Sequence, residues 1–258
     1  MRIAVITGAS SGLGSEYVKQ LDKDNSIDKF WLVARRSDRL RKLSETLFHK
    51  VVIFSYDLTD SKSFELFAGE LEKEKPEIKY LINCAGAGVI GSYKDISLSD
   101  SDRMIDLNCK AAVNMTTLCI PYMKRGSRIM EISSASAYFP VTYLNVYSAS
   151  KVFLLNYSRA LRREIMHEGI CVTAVCPYWI KDTEFIGRAS ENGTGSYIKN
   201  FLFASKEADV VRKSLIDSKY NLAISSPGVI AKAQRIVGKL LETDAMITLW
   251  EFIRKIRA

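Results

Sequence analysis

Residues 3–7, 30–34, 51–55, 80–83, 128–132, 171–175 and 221–224 are short runs, apolar at nearly every position, and most are separated by longer amphipathic stretches. A short apolar run without alternation is the pattern of a parallel strand covered on both faces. Such strands alternating with amphipathic helices predict a parallel sheet with helices packed on both sides. No repeat, low-complexity tract or linker composition interrupts the order. The expected architecture is α/β, a single doubly wound (Rossmann-type) domain with a mostly parallel seven-stranded sheet. At 258 residues the chain is long enough to bury a core around that sheet.

Two stretches depart from this rhythm. Residues about 181–205 are polar in the middle, at Glu191, Asn192, Gly193, Thr194 and Gly195, and aromatic at the ends, at Phe185, Tyr197, Phe201 and Phe203. An irregular segment of that length inside a compact domain is expected to be a functional lid or a disordered loop. Near the C-terminus, 229–241 and 245–256 read as amphipathic helices, with Met246, Leu249, Trp250, Ile253 and Ile256 on one side and Arg254, Lys255 and Arg257 on the other. This helical extension, about 229–258, is expected to cover its own domain or a neighbouring subunit, ahead of the membrane surface that such helices also suit.

Composition narrows the function classes. Hydrophobic residues at 47% and charged residues at 26% describe a globular protein, and no apolar run approaches the roughly 18 residues of a membrane-spanning helix. A net charge of +8 favours solubility and electrostatic steering; without a basic stripe interleaved with aromatics it does not point to nucleic acid. Cys84, Cys109, Cys119, Cys171 and Cys176 contain no C-x-x-C pair, and His49 and His167 sit at predicted helix ends away from any ligand cluster. No metal site and no disulfide framework are expected. A strand beginning at Arg2 leaves no room for a cleavable leader, so the expected compartment is the reducing cytoplasm.

Candidate chemistry begins where the first strand ends. Thr7-Gly8-Ala9-Ser10-Ser11-Gly12-Leu13-Gly14 joins it to the first helix. Glycines allow a tight turn and close backbone approach, and a helix start offers unpaired N–H groups and a positive dipole end to a pyrophosphate. A bare structural turn also suits such a loop. The strand before it, the helix after it and a second strand ending where a ribose-reading residue belongs favour a dinucleotide. At that strand end stands Ala34, followed by Arg35 and Arg36. An acidic side chain there would bond the ribose hydroxyls of NAD, whereas a small residue followed by arginine leaves space and planar donors for a 2′-phosphate. The expected cofactor is NADP(H), preferred over NAD(H), with Arg35 or Arg36 as its reader.

Tyr147 and Lys151, four apart at the head of an amphipathic pattern reaching about Met166, share one helix face. A phenol titrates near ~10 and donates a proton poorly at neutral pH unless a nearby ammonium favours its anion. Lysine one turn away supplies that ammonium. Ser133 and Ser134 close the run 128–132 at the carboxyl edge, where a parallel sheet places its ligands. Thr-Gly-x-x-x-Gly-x-Gly, Asn83-Cys84-Ala85-Gly86, Ser134 and Tyr147-x-x-x-Lys151, in that order, closely resemble the short-chain dehydrogenase/reductase family from Arg2 to about Thr183.

The resemblance implies an enzyme that interconverts a ketone and a secondary alcohol. Tyr147 would be the general acid or base, Lys151 would hold the nicotinamide ribose and lower the tyrosine pKa, and Ser134 would bond the substrate oxygen. Asn108 matches the family's helix asparagine that anchors a water in the proton relay. Asn83, Ala85 and Gly86 would line the adenosine side, and Asp57 with Leu58 would meet the adenine, although a turn or helix cap suits Asp57 as well. After the sixth strand the family commonly reads Pro-Gly and then threonine. Here Pro177-Tyr178-Trp179-Ile180-Lys181-Asp182-Thr183 has tyrosine for glycine and wider spacing, which leaves the nicotinamide contacts of Pro177, Ile180 and Thr183 open. The glycine-rich ending of tetrameric members is absent, so a homodimer through helices over 108–123 and 147–166 is expected. Tyr138, Phe139, Tyr143, Tyr178 and Trp179 flank the catalytic segments and favour a small-molecule hydrophobic carbonyl or alcohol, steroid-like or 3-oxoacyl, touched by Tyr138, Tyr143 and Tyr178. The alternatives are a sugar or polyol dehydrogenase, which asks for more polar walls, and a non-catalytic dinucleotide-binding regulator, which has no need of an intact Ser134, Tyr147 and Lys151.

Overall fold

The computed structural model describes residues 1–189, 197–198 and 203–256. The apolar runs form β1 (Arg2–Thr7), β2 (Lys29–Val33), β3 (Lys50–Phe54), β4 (Glu77–Asn83), β5 (Met123–Ile132), β6 (Cys171–Val175) and β7 (Ile224–Ser225). All pair in parallel, in the order β3-β2-β1-β4-β5-β6-β7. The helices are α1 (Gly12–Leu21), α2 (Ser37–Ser44), α3 (Ser61–Glu74), α4 (Leu98–Ile105), α5 (Ala111–Cys119), α6 (Asn145–Ile165), α7 (Glu184–Ala189), α8 (Glu207–Lys219), α9 (Val229–Leu240) and α10 (Thr243–Ile256).

Successive strand residues serve opposite faces of the sheet. Ile3, Val5, Trp31, Leu81 and Ile129 pack with Phe67 of α3, Met115 of α5 and Leu161 of α6. Ala4, Ile6, Phe30, Ile82 and Met130 pack with Tyr17 of α1, Leu40 of α2 and Val211 of α8. Both faces are dry, which is why the strands are apolar throughout. The strand order reverses between β1 and β4, opening a crevice at their carboxyl ends. Register sets Thr7 level with Val33 and Asn83, and Asn83 level with Glu131, so the loops after these residues meet at one edge. An apolar cluster including Met104, Phe139, Leu144, Ile198 and Met246 caps that edge.

Several elements differ from the sequence expectation, each for a local reason. The helix read over 108–123 is three pieces: a π-helical turn at Asp106–Lys110, then α5, then a 3-10 turn at Ile120–Tyr122. Pro121 in that last turn lacks an N–H, the helix stops, and Met123 already belongs to β5. The last strand is Ile224–Ser225, not 221–224, because Asn221 takes a left-handed turn at φ 55°. The lid stretch holds α7 near its start, while Glu191, Asn192, Gly193, Thr194, Gly195, Phe201 and Arg257 lie outside the described residues. His49 is not at a helix end; it precedes β3, with Nδ1 2.9 Å from Asp22 Oδ1. The C-terminal helices cover their own domain: Met246 is buried and Trp250 Nε1 donates to Thr142 Oγ1 at 3.1 Å. Among the described residues no helix is long and apolar enough to cross a membrane, and no His, Cys, Asp and Glu cluster could hold a metal.

Candidate active site

A cavity of about 560 Å³ opens at this edge, with Gly8, Ser10, Ser11, Gly12 and Leu13 on its wall. Gly8 holds φ 66°, and a Cβ there would stand 2.8 Å from Ala85 N. Gly14 lies beneath the loop, where a Cβ would stand 2.3 Å from Gly8 O. Only glycine fits either position. Ser11, the N-cap of α1, makes no side-chain capping bond, which leaves the first N–H groups of the helix to an anion. Thr7 Oγ1 accepts from Cys84 N and Ala85 N, both at 3.0 Å, and ties the turn after β4 to the loop. Ala85 and Gly86 of that turn border the cavity. Asn83 lies behind it, donating Nδ2 to Thr116 Oγ1 at 2.8 Å and Glu131 Oε1 at 2.9 Å.

The two arginines after Ala34 have different partners. Arg36 reaches back over the glycine loop, donating Nη2 to Ser10 Oγ at 3.0 Å and to Ser11 Oγ at 2.7 Å. Arg35 turns to Asp57, with Nη1 3.5 Å from Oδ2. Asp57 also accepts from Thr59 N at 3.0 Å and Thr59 Oγ1 at 2.9 Å, closing a turn beside the buried Leu58. Against the effect of burial, these bonds hold its carboxyl below the usual range. The glycine cradle, the helix start and Arg36 fit a dinucleotide and could hold one whose ribose is phosphorylated.

Ser134, Tyr147 and Lys151 border the same cavity. Tyr147 and Lys151 lie one turn apart on α6, with Nζ 5.6 Å from the phenol ring centre. Lys151 Nζ donates to Ile132 O at 2.8 Å, and Ser133 Oγ donates to Lys151 O at 2.8 Å, so one residue pins α6 to the end of β5 twice. Ser134 caps a 3-10 turn, Oγ accepting from Ser136 N at 3.2 Å. Burial pushes the Tyr147 phenol up to about 12, while hydrogen bonding to Ser134 works the other way. Burial pushes the Lys151 ammonium down to about 8. A lysine one turn away predicts a Tyr147 pKa below the free phenol; in the folded chain desolvation is the larger effect, and the ammonium is directed at the Ile132 carbonyl.

Asn108 occupies the π-helical turn and is buried. Its Oδ1 accepts from Ala87 N at 2.8 Å, and Nδ2 donates to Ala87 O and Ser150 Oγ, both at 2.9 Å. The amide therefore ties the Gly86–Gly88 stretch to α6 from behind the cavity wall. Glu131, which the motifs did not point to, is buried in the same layer; burial raises its carboxyl to about 7 against bonds from Asn83 and Thr116. Its signal was a charge inside the apolar run 128–132.

Met104, Phe139, Val141, Leu144, Trp179, Phe185 and Trp250 wall the remaining space. Of the three tyrosines expected at the substrate, only Tyr178 borders it. Tyr138 turns its hydroxyl to Ser226 Oγ at 2.7 Å. The Tyr143 ring stacks on Tyr197 at 4.3 Å between centroids and lies 4.5 Å from the Arg254 guanidinium, so it joins the lid stretch to α10. Pro177, Ile180 and Thr183 border the cavity despite the wider spacing, and Thr183 Cγ2 lies 3.4 Å from where a Gly12 Cβ would stand.

Residues 2–193 match the family model described as short chain dehydrogenase. The chain is 35% identical over 181 residues to glycine betaine reductase ATRR of Emericella nidulans, covering 68% of this chain and 14% of that protein. It is 32% identical over 191 residues to a very-long-chain 3-oxoacyl-CoA reductase of Anas platyrhynchos, covering 69% of this chain and 59% of that protein. It thus spans less than two thirds of the length of either relative. A solved short-chain dehydrogenase from Sphingobium yanoikuyae, in complex with NADPH, matches with a TM-score of 0.79 at 26% identity over 93% of both chains. With a matching family model over most of its length and a parallel seven-stranded sheet carrying a dinucleotide cradle, the chain belongs to the short-chain dehydrogenase/reductase family of oxidoreductases.

Proposed function

We propose that this oxidoreductase interconverts a bulky hydrophobic ketone and its secondary alcohol with NADP(H). One observation carries the reading: Ser134, Tyr147 and Lys151 border the same cavity as the glycine loop and Arg36, beside an aromatic wall. A bound nicotinamide supplies or accepts the hydride. Tyr147, protonated at neutral pH, gives its proton to the carbonyl oxygen as charge builds there, and takes it back in the oxidative direction. Ser134 holds that oxygen, while Lys151, still charged at pH 7, holds the ribose and favours the phenolate. Asn108 positions the Gly86–Gly88 stretch.

Phe139, Leu144, Tyr178, Trp179 and Phe185 offer a ketone apolar contact, and the 3-oxoacyl-CoA reductase relative supports an acyl body. The NADPH-bound neighbour supports the cofactor. Tyr147→Phe keeps the ring and deletes the donor. Screened over a ketone panel by NADPH consumption, it should lose on the order of a hundredfold to ten-thousandfold in turnover while binding NADPH nearly normally. Turnover above about a tenth of wild type with any good substrate would remove Tyr147 from this role.

A further inference from the structure

Helix α7 begins with two adjacent residues that reach different ends of the cavity. Glu184 sets Oε2 3.1 Å from Arg36 Nη1 and Oε1 2.5 Å from Arg39 Nη1. Phe185 lies against Tyr147, ring centroids 5.4 Å apart, in a space that Gly88 leaves free: a Cβ there would stand 2.6 Å from Phe185 Cζ. The far end of the helix is anchored, with Ala189 fully buried and its carbonyl accepting from Ile90 N at 2.7 Å.

Arg36 is the arginine that also grips Ser10 and Ser11 of the glycine loop, so the Glu184 carboxylate stands where a ribose 2′-phosphate would be met. Two anions on one guanidinium repel each other, and a phosphate carries the larger charge and more acceptor oxygens. We propose that Glu184 is a built-in rival for the 2′-phosphate site, displaced by NADP(H) but not by NAD(H), and that its displacement carries Phe185 off Tyr147. This inference rests on the reading of Arg36 as the phosphate-binding residue. The coupling is mechanical. A helix of six residues is about 9 Å long, and one held at Ala189 moves most at its first turn. Where Glu184 leaves the arginines by a shift of this first turn, its neighbour Phe185 moves with it. NADH reaches the same glycine loop but brings no 2′-phosphate against Glu184, and Phe185 stays on the tyrosine. Cofactor choice is thereby expressed at the substrate end as well as in affinity.

The pairs are partly exposed, so the competition is modest and measurable. Glu184→Gln keeps the size of the side chain and removes its charge. Wild type and variant are titrated by calorimetry with NADPH, NADH, adenosine 2′,5′-bisphosphate and 5′-AMP, and hydrogen exchange over residues 184–189 is followed with the last two. The variant should bind NADPH and the bisphosphate about threefold to tenfold tighter, with NADH and 5′-AMP changed by less than about twofold. In wild type the bisphosphate should speed exchange over 184–189, and 5′-AMP should not. Unchanged or weaker bisphosphate binding in Glu184→Gln overturns the inference, because Glu184 would then support Arg36 instead of opposing the phosphate. Equal gains for both nucleotides, or exchange indifferent to the bisphosphate, do the same. The cofactor reading has a separate arm: wild type is expected to prefer NADPH over NADH at least tenfold, and equal affinities overturn the phosphate role of Arg36 whatever the variant does.

Discussion

Burial moves Tyr147 and Lys151 in opposite directions because the charged form of a phenol is the anion and that of an amine the cation. With the phenol near 12 and the ammonium near 8, both are protonated at pH 7, which suits a proton donor beside a cation. The Lys151 charge is present below about 8 and lost as pH rises through it. The kcat/KM for ketone reduction should therefore fall through that region, and Lys151→Arg, which keeps its charge, should remove the falling limb even if the overall rate is lower. A wild-type profile flat from about pH 7 to 9.5 would detach Lys151 from the reaction. That Ser134, Tyr147 and Lys151 would border one cavity was legible in the sequence through the order of the motifs that carry them. Which of Arg35 and Arg36 reaches the glycine loop was not, since it depends on where the backbone points after β2 and on Asp57 capturing the first of the two. Tyr138 and Tyr143 misled for a related reason: aromatic density near a site does not say which rings pack the shell, and Ser226 and Arg254, far away in sequence, claim these two.

The strands were legible because burial on both faces leaves apolar runs of strand length set between amphipathic stretches, whereas their ends depend on pairing partners that a local window does not contain. β4 starts at Glu77, earlier than its apolar stretch, because Glu77 N donates to Met1 O at 2.9 Å and the backbone is level with Arg2 of β1 from there. α7 was invisible for another reason: six residues hold less than two turns, too little for a periodic stripe or for stability without tertiary contacts. The loop from β1 to α1 was read from its glycines, and the structure separates their duties. Gly14→Ala would drive a Cβ against Gly8 O at 2.3 Å and Gly8 C at 2.7 Å, backbone that cannot rotate aside. It should cost about 1–3 kcal/mol in thermal or urea unfolding and weaken NADPH binding more than tenfold. Gly69→Ala is the matched control, since α3 leaves open space there, and it should stabilise by about 0.5–1 kcal/mol. If the two variants melt alike, close packing of α1 on the loop is not what selects Gly14.

At the scale of the whole molecule, α6 has two faces with different work. Its inner face carries Tyr147 and Lys151, both buried; its outer face carries Phe153, 45% exposed, with the Tyr157 ring stacked parallel to it at 6.2 Å. An exposed Phe153 ring lying flat against a half-buried Tyr157 suits the centre of an isologous contact, where the same ring from a second copy would cover it. The resemblance to the family is a general reason to expect this helix at a dimer interface, and exposed Phe153 is a specific one. A second apolar outer face lies on α9, with Val229, Ile236 and Leu240 exposed, but Lys232 and Lys239 are exposed on the same helix, and matching lysines brought together across a two-fold axis would repel. The protein should sediment at twice 29.0 kDa at micromolar concentration. Phe153→Glu should shift it to 29.0 kDa, and Ile236→Glu should leave the dimer intact. Because the interface would brace the helix that holds Tyr147, the Phe153→Glu monomer should also melt earlier and turn over more slowly with NADPH binding little changed. A wild-type monomer removes the dimer altogether, and dissociation by Ile236→Glu but not Phe153→Glu moves it to the C-terminal helices, where it could no longer stiffen α6.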